Sequence, residues 1–204
     1  MSRRLEPKSK FERRIGESLW SSSNRRVETA PGQHGLKPRR NISDYGARLL
    51  AKQKLKFYYC NITENKLLNT YKRALKFKGN VGFNLVRLLE LRLDVLVCRA
   101  KLAPTFGASR QMINHGHVLV NNSKVNICSY ECRPNDVFRI NPKFINAVII
   151  KNSVLNTNSQ IPSYIQSDYK HLTFRLLRIP CNHDIKWSAS MCPALVAEHY
   201  SKVR

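Results

Sequence analysis

Residues 105–121, TFGASRQMINHGHVLVN, change their apolar period partway along, and that change restricts what the chain around them can form. Over 107–115, Ala108, Met112 and Ile113 fall on one side of a helix at about 100° per residue. From 117 onward Val118 and Val120 alternate, as on a strand with one buried face. Gly116 sits at the switch, where a glycine can end a helix and turn the chain. A short helix therefore packs on a small sheet whose first strand follows at once. Arg110, Gln111, Asn114 and His115 fall within a different arc of about 140° on that helix. The pattern predicts that these four face solvent, with His117 and Asn121 turned away from the core.

The flanking segments read in the same way. Ser43 or Asp44 can cap a helix running to about Cys60. A second helix is expected over 63–78, with Leu67, Leu68, Tyr71 and Leu75 as its apolar stripe and Gly79-Asn80 as its stop. NLVRLLELRLDVLVCRAKLA, 84–103, reads as one apolar helix with Leu85, Leu88, Leu89, Val95, Leu96 and Ala100 in the core. Strands are expected at 117–121, 124–128 and 137–141. Asn121-Asn122-Ser123 makes the first hairpin, because asparagine tolerates positive φ. RPND, 133–136, is a turn into VFRI. Residues 141–160 have no clean period and receive no element. A final helix from about Pro193 to Ser201 carries Leu195, Val196 and Tyr200 at helical spacing. It needs a buried partner and is expected on the helix at 44–60 or that at 63–78.

Charge narrows the function. The 204 residues carry a formal net charge of +23, which is self-repulsive alone and makes sense beside a polyanion, nucleic acid first. A membrane surface fits less well, since no apolar run is long enough to span a bilayer. The start, MSRRLEPKSK, lacks the apolar stretch of a secretory signal. Cys60, Cys98, Cys128, Cys132, Cys181 and Cys192 are scattered, as reduced thiols are. Only Cys128 and Cys132 lie close together, and no second pair completes a zinc site. No metal and no cofactor is expected.

The basic stretch 1–42, with Phe11, Trp20 and the turn PGQHG at 31–35, reads as an arm ordered mainly by a partner. Its candidate phosphate ligands are Arg3, Arg4, Lys8, Lys10, Arg13, Arg14, His34, Lys37, Arg39 and Arg40. Arg48, Lys52 and Lys56 share a helix face at i, i+4, i+8 and match phosphates in the same way. Within 84–141 the candidates are Arg92, Arg99, Arg110, Gln111, Asn114, His115, His117, Asn121 and Lys124. Arginine binds phosphate bidentately, Gln and Asn read base or sugar edges, and His donates or stacks. No nucleophile–base pair and no phosphate loop stands out, so no catalytic residue is expected.

The span Leu88–Ile140 resembles the RNA-binding module named after small-subunit ribosomal protein four, through LLELRLD (88–94), ASRQMINHGHVLVNN (108–122), VNI (125–127) and the pattern SY-C-PNDV within 129–137. PGQHG (31–35), SDYG (43–46), AKQKLKFYY (51–59), KGN (78–80) and AEHYSK (197–202) resemble that family at matching positions. The wording CRAKLAPT, NHGHV and IPSYIQSDYK resembles its alphaproteobacterial branch, from which mitochondria descend. Leu91 stands where the family usually has glycine, and Asn122 replaces the usual hairpin glycine. No cysteine precedes Cys60, so the zinc held by some members is expected to be absent.

The resemblance implies an α+β protein. A basic arm (1–42) precedes a helical domain (43–83) completed by the C-terminal segment 185–204. An α/β module of helices on a small antiparallel sheet (84–141) follows, with an extension at 142–184 packed on it. It implies a structural constituent of the small ribosomal subunit. Such a protein binds small-subunit ribosomal RNA first, nucleates the 5′ domain, and lies beside protein five where messenger RNA enters. No homo-oligomer is implied. The location implied is the mitochondrial ribosome, with plastid or bacterial cytoplasm as alternatives. A free RNA chaperone or assembly factor is the second reading. Pseudouridine synthases carry the same module, and Arg92-Leu93-Asp94 resembles the sequence around their catalytic aspartate. Here Val95-Leu96-Val97 follow inside an apolar helix, so Asp94 is expected on the helix surface, ion-paired with Arg87 or Arg92.

Overall fold

The computed structural model describes residues 8–20, 29–36, 42–144, 161–187 and 189–202. The chain divides into two compact units, Met1–Leu85 with Lys186–Arg204, and Val86–Ile185.

The first unit is helical. Helix α1 (Lys8–Ile15) buries Phe11 and Ile15, which cluster with Leu19 against Leu50, Phe57 and Met191. The Phe11 ring stacks on that of Phe57 at 3.6 Å. Helix α2 (Asp44–Tyr58) begins at Ser43, whose hydroxyl accepts the Gly46 N–H at 3.3 Å. Satisfying an otherwise orphaned N–H there is why the helix starts at this residue. Helix α3 (Glu64–Ala74) buries Leu67 and Tyr71. It stops earlier than the period suggested, and Leu75 is 41 % exposed instead of sitting in the core. Asn80 does not end this helix. It starts the next one, α4 (Val81–Glu90), by accepting the N–H groups of Gly82 at 2.9 Å and Phe83 at 3.4 Å. The last helix, α7 (Pro193–Lys202), packs on α2 and α3 and completes the helical unit, as its apolar spacing required. Val196 and Tyr200 are buried, and Tyr200 stacks on Tyr71 at 5.0 Å. Each such side chain contributes on the order of 1.5–3 kcal/mol at full burial.

The second unit lays helices on an antiparallel sheet. The single helix expected over 84–103 is two, α4 and α5 (Leu93–Arg99). Between them Arg92 is extended (φ −71°, ψ 140°) and forms a β-bridge with Glu131. The Leu93 N–H donates to the Tyr130 carbonyl at 2.8 Å, and the Cys132 N–H to that of Leu91 at 2.9 Å. Pairing with a segment some forty residues away breaks the helix, which local periodicity cannot reveal. Helix α6 (Phe106–Asn114) starts at Thr105, whose hydroxyl accepts the Ala108 N–H, and ends before Gly116, at φ +73°.

Strands β1 (Val118–Val120), β2 (Ser123–Lys124), β3 (Val137–Ile140), β4 (Ile165–Asp168) and β5 (Thr173–Leu176) lie in the order β2-β1-β3-β5-β4. Val120 pairs with Ser123, so Asn121 and Asn122 alone form the turn, at φ +48° and +67°. Positive φ at both positions is what a two-residue hairpin matching the strand twist demands. The strand expected at 124–128 stops at Lys124. No strand was expected for β4 and β5, which extend the sheet beyond β3. Val118, Val120, Phe138, Ile140, Phe174 and Leu176 face α5 and α6 in one core with Leu93, Leu96, Met112 and Ile113.

Candidate nucleic-acid interface

In the first unit the four cations of α2 meet carboxylates. Arg48 Nη1 lies 3.0 Å from Glu198 Oε1 on α7. Lys52 Nζ is 3.0 Å from Glu64 Oε1, and Lys56 Nζ 3.4 Å from Glu64 Oε2. The Tyr200 hydroxyl donates to Glu64 at 2.7 Å. Burial works to raise the Glu64 pKa, but the hydrogen bonds from Tyr200 and Lys52 outweigh it and hold the carboxyl below its usual range. Lys54, buried, pairs with Glu17 at 2.6 Å. The face expected to stand open to phosphate therefore ties α2 to α3 and α7. In the arm, Arg13 donates to the carbonyls of Thr29 at 2.9 Å and Ala30 at 3.3 Å, anchoring the segment that leads into PGQHG. Lys10, Arg14 and His34 are exposed. Lys8 lies on α1, and Arg3, Arg4, Lys37, Arg39 and Arg40 fall outside the described residues.

The second unit corrects two further expectations. Asp94 is buried, not on a helix surface, and Arg110 is buried with it. Arg92 grips the Asp94 carboxylate with two bonds, at 3.0 and 2.7 Å, while Arg110 Nε donates to Asp94 Oδ2 at 3.0 Å. Ser109 donates its hydroxyl to the Asp94 carbonyl at 2.5 Å. Burial of Arg92 is opposed by its hydrogen bonds to Asp94, which raise its pKa and keep it charged. An aspartate held by two guanidiniums cannot serve as a free nucleophile, and its role is to lock α5 to α6. Arg99 likewise meets the fully buried Glu90, at 3.1 and 2.8 Å, and Glu90 also accepts from Tyr164 at 3.3 Å.

Of the residues expected to contact RNA in this unit, Gln111, Asn114, His115, His117 and Lys124 lie at or next to Gly116. Gln111 and His115 are exposed, while Asn114 and His117 are half-buried. The Lys124 stem crosses Gly116 so closely that an added Cβ would lie 2.0 Å from Lys124 Cε. Glycine is needed here for its positive φ, while the flexible end of Lys124 can swing aside. The His117 ring lies 3.8 Å from the Phe144 ring and 5.6 Å from that of His115. Burial, then the neighbouring His115 and Lys124, lowers the His117 pKa and favours a neutral ring. Its Nδ1 is buried without a hydrogen-bond partner, as is Arg139 Nε on β3. Asn121 is committed elsewhere: it donates to Asp136 at 2.9 Å and accepts the Val137 N–H at 3.0 Å.

Sequence reasoning missed Phe144 and Arg139 here, and Lys72, Lys76 and Lys78 in the first unit, all three exposed. The last three had a legible signal, since no Asp or Glu occurs between Glu64 and Glu90. Among the described residues, no group of three or more His, Cys, Asp or Glu is placed to hold a metal. Cys128 and Cys132 are buried, and burial pushes the Cys132 thiol up to about 12. No helix among those residues is long and apolar enough to cross a membrane.

A strongly basic α+β chain with exposed cations and aromatic rings, several of whose carboxylates are already held in ion pairs, belongs to the class of nucleic-acid-binding proteins. Comparison with known proteins resolves the class. The family described as "Ribosomal protein S4/S9 N-terminal domain" matches residues 3–90, and "S4 domain" matches residues 91–138. The chain is 45 % identical over 206 residues to small ribosomal subunit protein uS4 of Bartonella tribocorum, covering 99 % of this chain and 100 % of that one. The corresponding proteins of Bradyrhizobium sp. (strain BTAi1) and Hyphomonas neptunium are 42 % and 44 % identical, over 99 % and 98 % of this chain and all of theirs. The chain belongs to the uS4 family of small-subunit ribosomal proteins, a family of structural and not enzymatic proteins.

Proposed function

We propose that this protein is a structural constituent of the small ribosomal subunit that binds the subunit's own RNA early and nucleates folding of the 5′ domain. The observation that carries the reading is the distribution of charge. The chain has 36 Lys and Arg against 13 Asp and Glu, and Glu17, Glu64, Glu90, Asp94, Asp184 and Glu198 are already engaged by Lys or Arg of the chain itself. The excess cations are left for phosphate. On this reading the Gly116 surface, with Gln111, His115, His117, Lys124 and Phe144, contacts RNA, and so does the basic arm. Buried Arg92 and Arg110 hold the surface in shape and do not touch RNA. Placement beside protein five, near incoming messenger RNA, as a single copy in a mitochondrial ribosome, belongs to the same proposal. Its support is the full-length likeness to alphaproteobacterial relatives.

The test is binding of the full chain to a transcript of small-subunit ribosomal RNA between about 50 and 200 mM salt. Affinity should fall by roughly a hundredfold or more across that range, as counterion release by several phosphate contacts requires. A salt-insensitive affinity would sink the electrostatic account. Retention in salt-washed small subunits supports the constituent role, while release at moderate salt would favour a free chaperone.

A further inference from the structure

The turn between α3 and α4 presents a basic and aromatic surface that neither the expected phosphate face nor the Gly116 surface includes. Phe77 is 54 % exposed and Phe83 41 %. Lys72, Lys76 and Lys78 are exposed beside them, and none of the three has a carboxylate within ion-pair reach among the described residues. The turn is built firmly. The buried Asn84 donates its amide to the carbonyls of Phe77 at 3.2 Å and Lys78 at 3.3 Å. The Phe77 and Lys76 N–H groups donate back to Ala74 at 3.3 Å and Arg73 at 3.0 Å. Gly79, at φ +100°, has nothing within 4 Å of the point where a Cβ would stand, which leaves the tip open.

From this arrangement we infer that the 72–83 turn is a second RNA-contact surface, on which an unpaired nucleotide stacks its base on Phe77 while Lys76 and Lys78 hold the flanking phosphates. The inference rests on the reading of the chain as an RNA-binding ribosomal protein and adds a site to it. Charge complementarity selects the occupant. Uncompensated lysines on both sides of an aromatic ring suit a ligand that alternates phosphate and a flat base, and an aromatic face accepts any base. An apolar protein surface would leave those lysines facing no counter-charge. A hydrogen-bonded turn also presents the ring with little ordering left to do on binding.

The experiment uses the full chain and a transcript of the 5′ domain of small-subunit ribosomal RNA. Phe77→Ala and Phe77→Leu should each weaken binding roughly fivefold to a hundredfold, the range for losing one base–aromatic stack. Phe77→Trp should restore it, and none should shift the melting temperature, since the ring is more than half exposed. The double variant Lys76→Ala/Lys78→Ala should flatten the slope of log K against log salt by about 1 to 2. In chemical probing, a base protected by the wild type should become reactive with Phe77→Ala. If Phe77→Leu binds like the wild type while Phe77→Ala does not, the contact is apolar and the stacking inference is overturned. If the wild type binds and all four variants match it in affinity and slope, the surface serves a protein or nothing, and the inference fails while the RNA-binding function stands. A wild type with no affinity for the RNA would overturn both.

Discussion

Helix α2 and the turn at 72–83 carry cations at similar density in the same unit, yet the two have opposite fates. On α2, Arg48, Lys52, Lys54 and Lys56 each find a carboxylate at 2.6–3.4 Å. In the turn, Lys72, Lys76 and Lys78 are exposed, in a stretch that has no acidic residue from 65 to 89. The first set stabilises the molecule, because its charge is neutralised at contacts between helices. The second is available to an external anion, because no carboxylate among the described residues competes for it. Helical spacing displays cations on one face, but long-range pairing decides whether that face is free.

The comparison breaks most visibly at the extreme of the neutralised kind, in the second unit. Asp94→Ala leaves Arg92 and Arg110, 6 % and 9 % exposed, without their carboxylate. Removing one member of a buried ionic cluster costs about 3–5 kcal/mol. Hydrogen exchange should show early opening of 93–114, with the first unit unaffected. A loss below about 1 kcal/mol would mean that these arginines are not committed to Asp94. Tyr164→Phe should come next. It removes one of the bonds to the fully buried Glu90, at about 1.5 kcal/mol for a hydrogen bond to a charged group. Urea denaturation followed by signals from the second unit reads it, and an unchanged midpoint would show that the bond at 3.3 Å contributes nothing.

Glu64→Gln sharpens the contrast within the first unit. Its carboxylate serves Lys52, Lys56 and Tyr200, but its side chain is 42 % exposed, so screening limits the loss to about 1 kcal/mol. The pH dependence follows from the direction of the shift. The folded-state pKa lies below the ordinary 4.5, so the stabilisation is complete above that value and is lost as pH falls through the lower, folded pKa. The difference in melting temperature between wild type and Glu64→Gln should be largest near neutrality and close as the pH drops below about 4.5. A gap that widened in acid would reverse the assignment.

These interactions mark the boundary of what the sequence could reveal. The Ser43 cap, the Gly116 stop, the inward Val118 and Val120, the Asn121-Asn122 turn and the packing of α7 all follow from local rules. Each depends on residues within a turn or two of one another, or on a single apolar stripe. Arg48 finds Glu198 at a separation of 150 residues, and Arg110 finds Asp94 at 16. No period encodes such meetings, so neither the internal pairing of the α2 cations nor the burial of Arg110 was legible. The break at Leu91-Arg92 has the same origin, being set by the bridge to Glu131. Strand β4 (IQSD) has no apolar alternation to read, whereas β5 (TFRL) alternates as β3 (VFRI) does and was legible but missed.

The smallest expected effect is the most discriminating, because it sets one cation of each kind against the other. Lys56 makes the longest of the α2 ion pairs, 3.4 Å to Glu64, with its side chain 18 % exposed. Lys56→Ala leaves Glu64 its bonds to Lys52 and Tyr200, so stability should change by no more than about 0.5 kcal/mol. RNA affinity should change little, since a lysine engaged by a carboxylate must break that contact before it can hold a phosphate. Lys76→Ala removes the same formal charge from a position with no such competitor, and should lower the salt slope by about 1. Both variants shed one unit of net charge, so the long-range attraction of the whole molecule for RNA is matched between them. Any difference in slope then reports direct contact alone. Equal losses at Lys56 and Lys76 would show that RNA draws the α2 lysines out of their pairs, and that internal pairing does not protect a cation from recruitment.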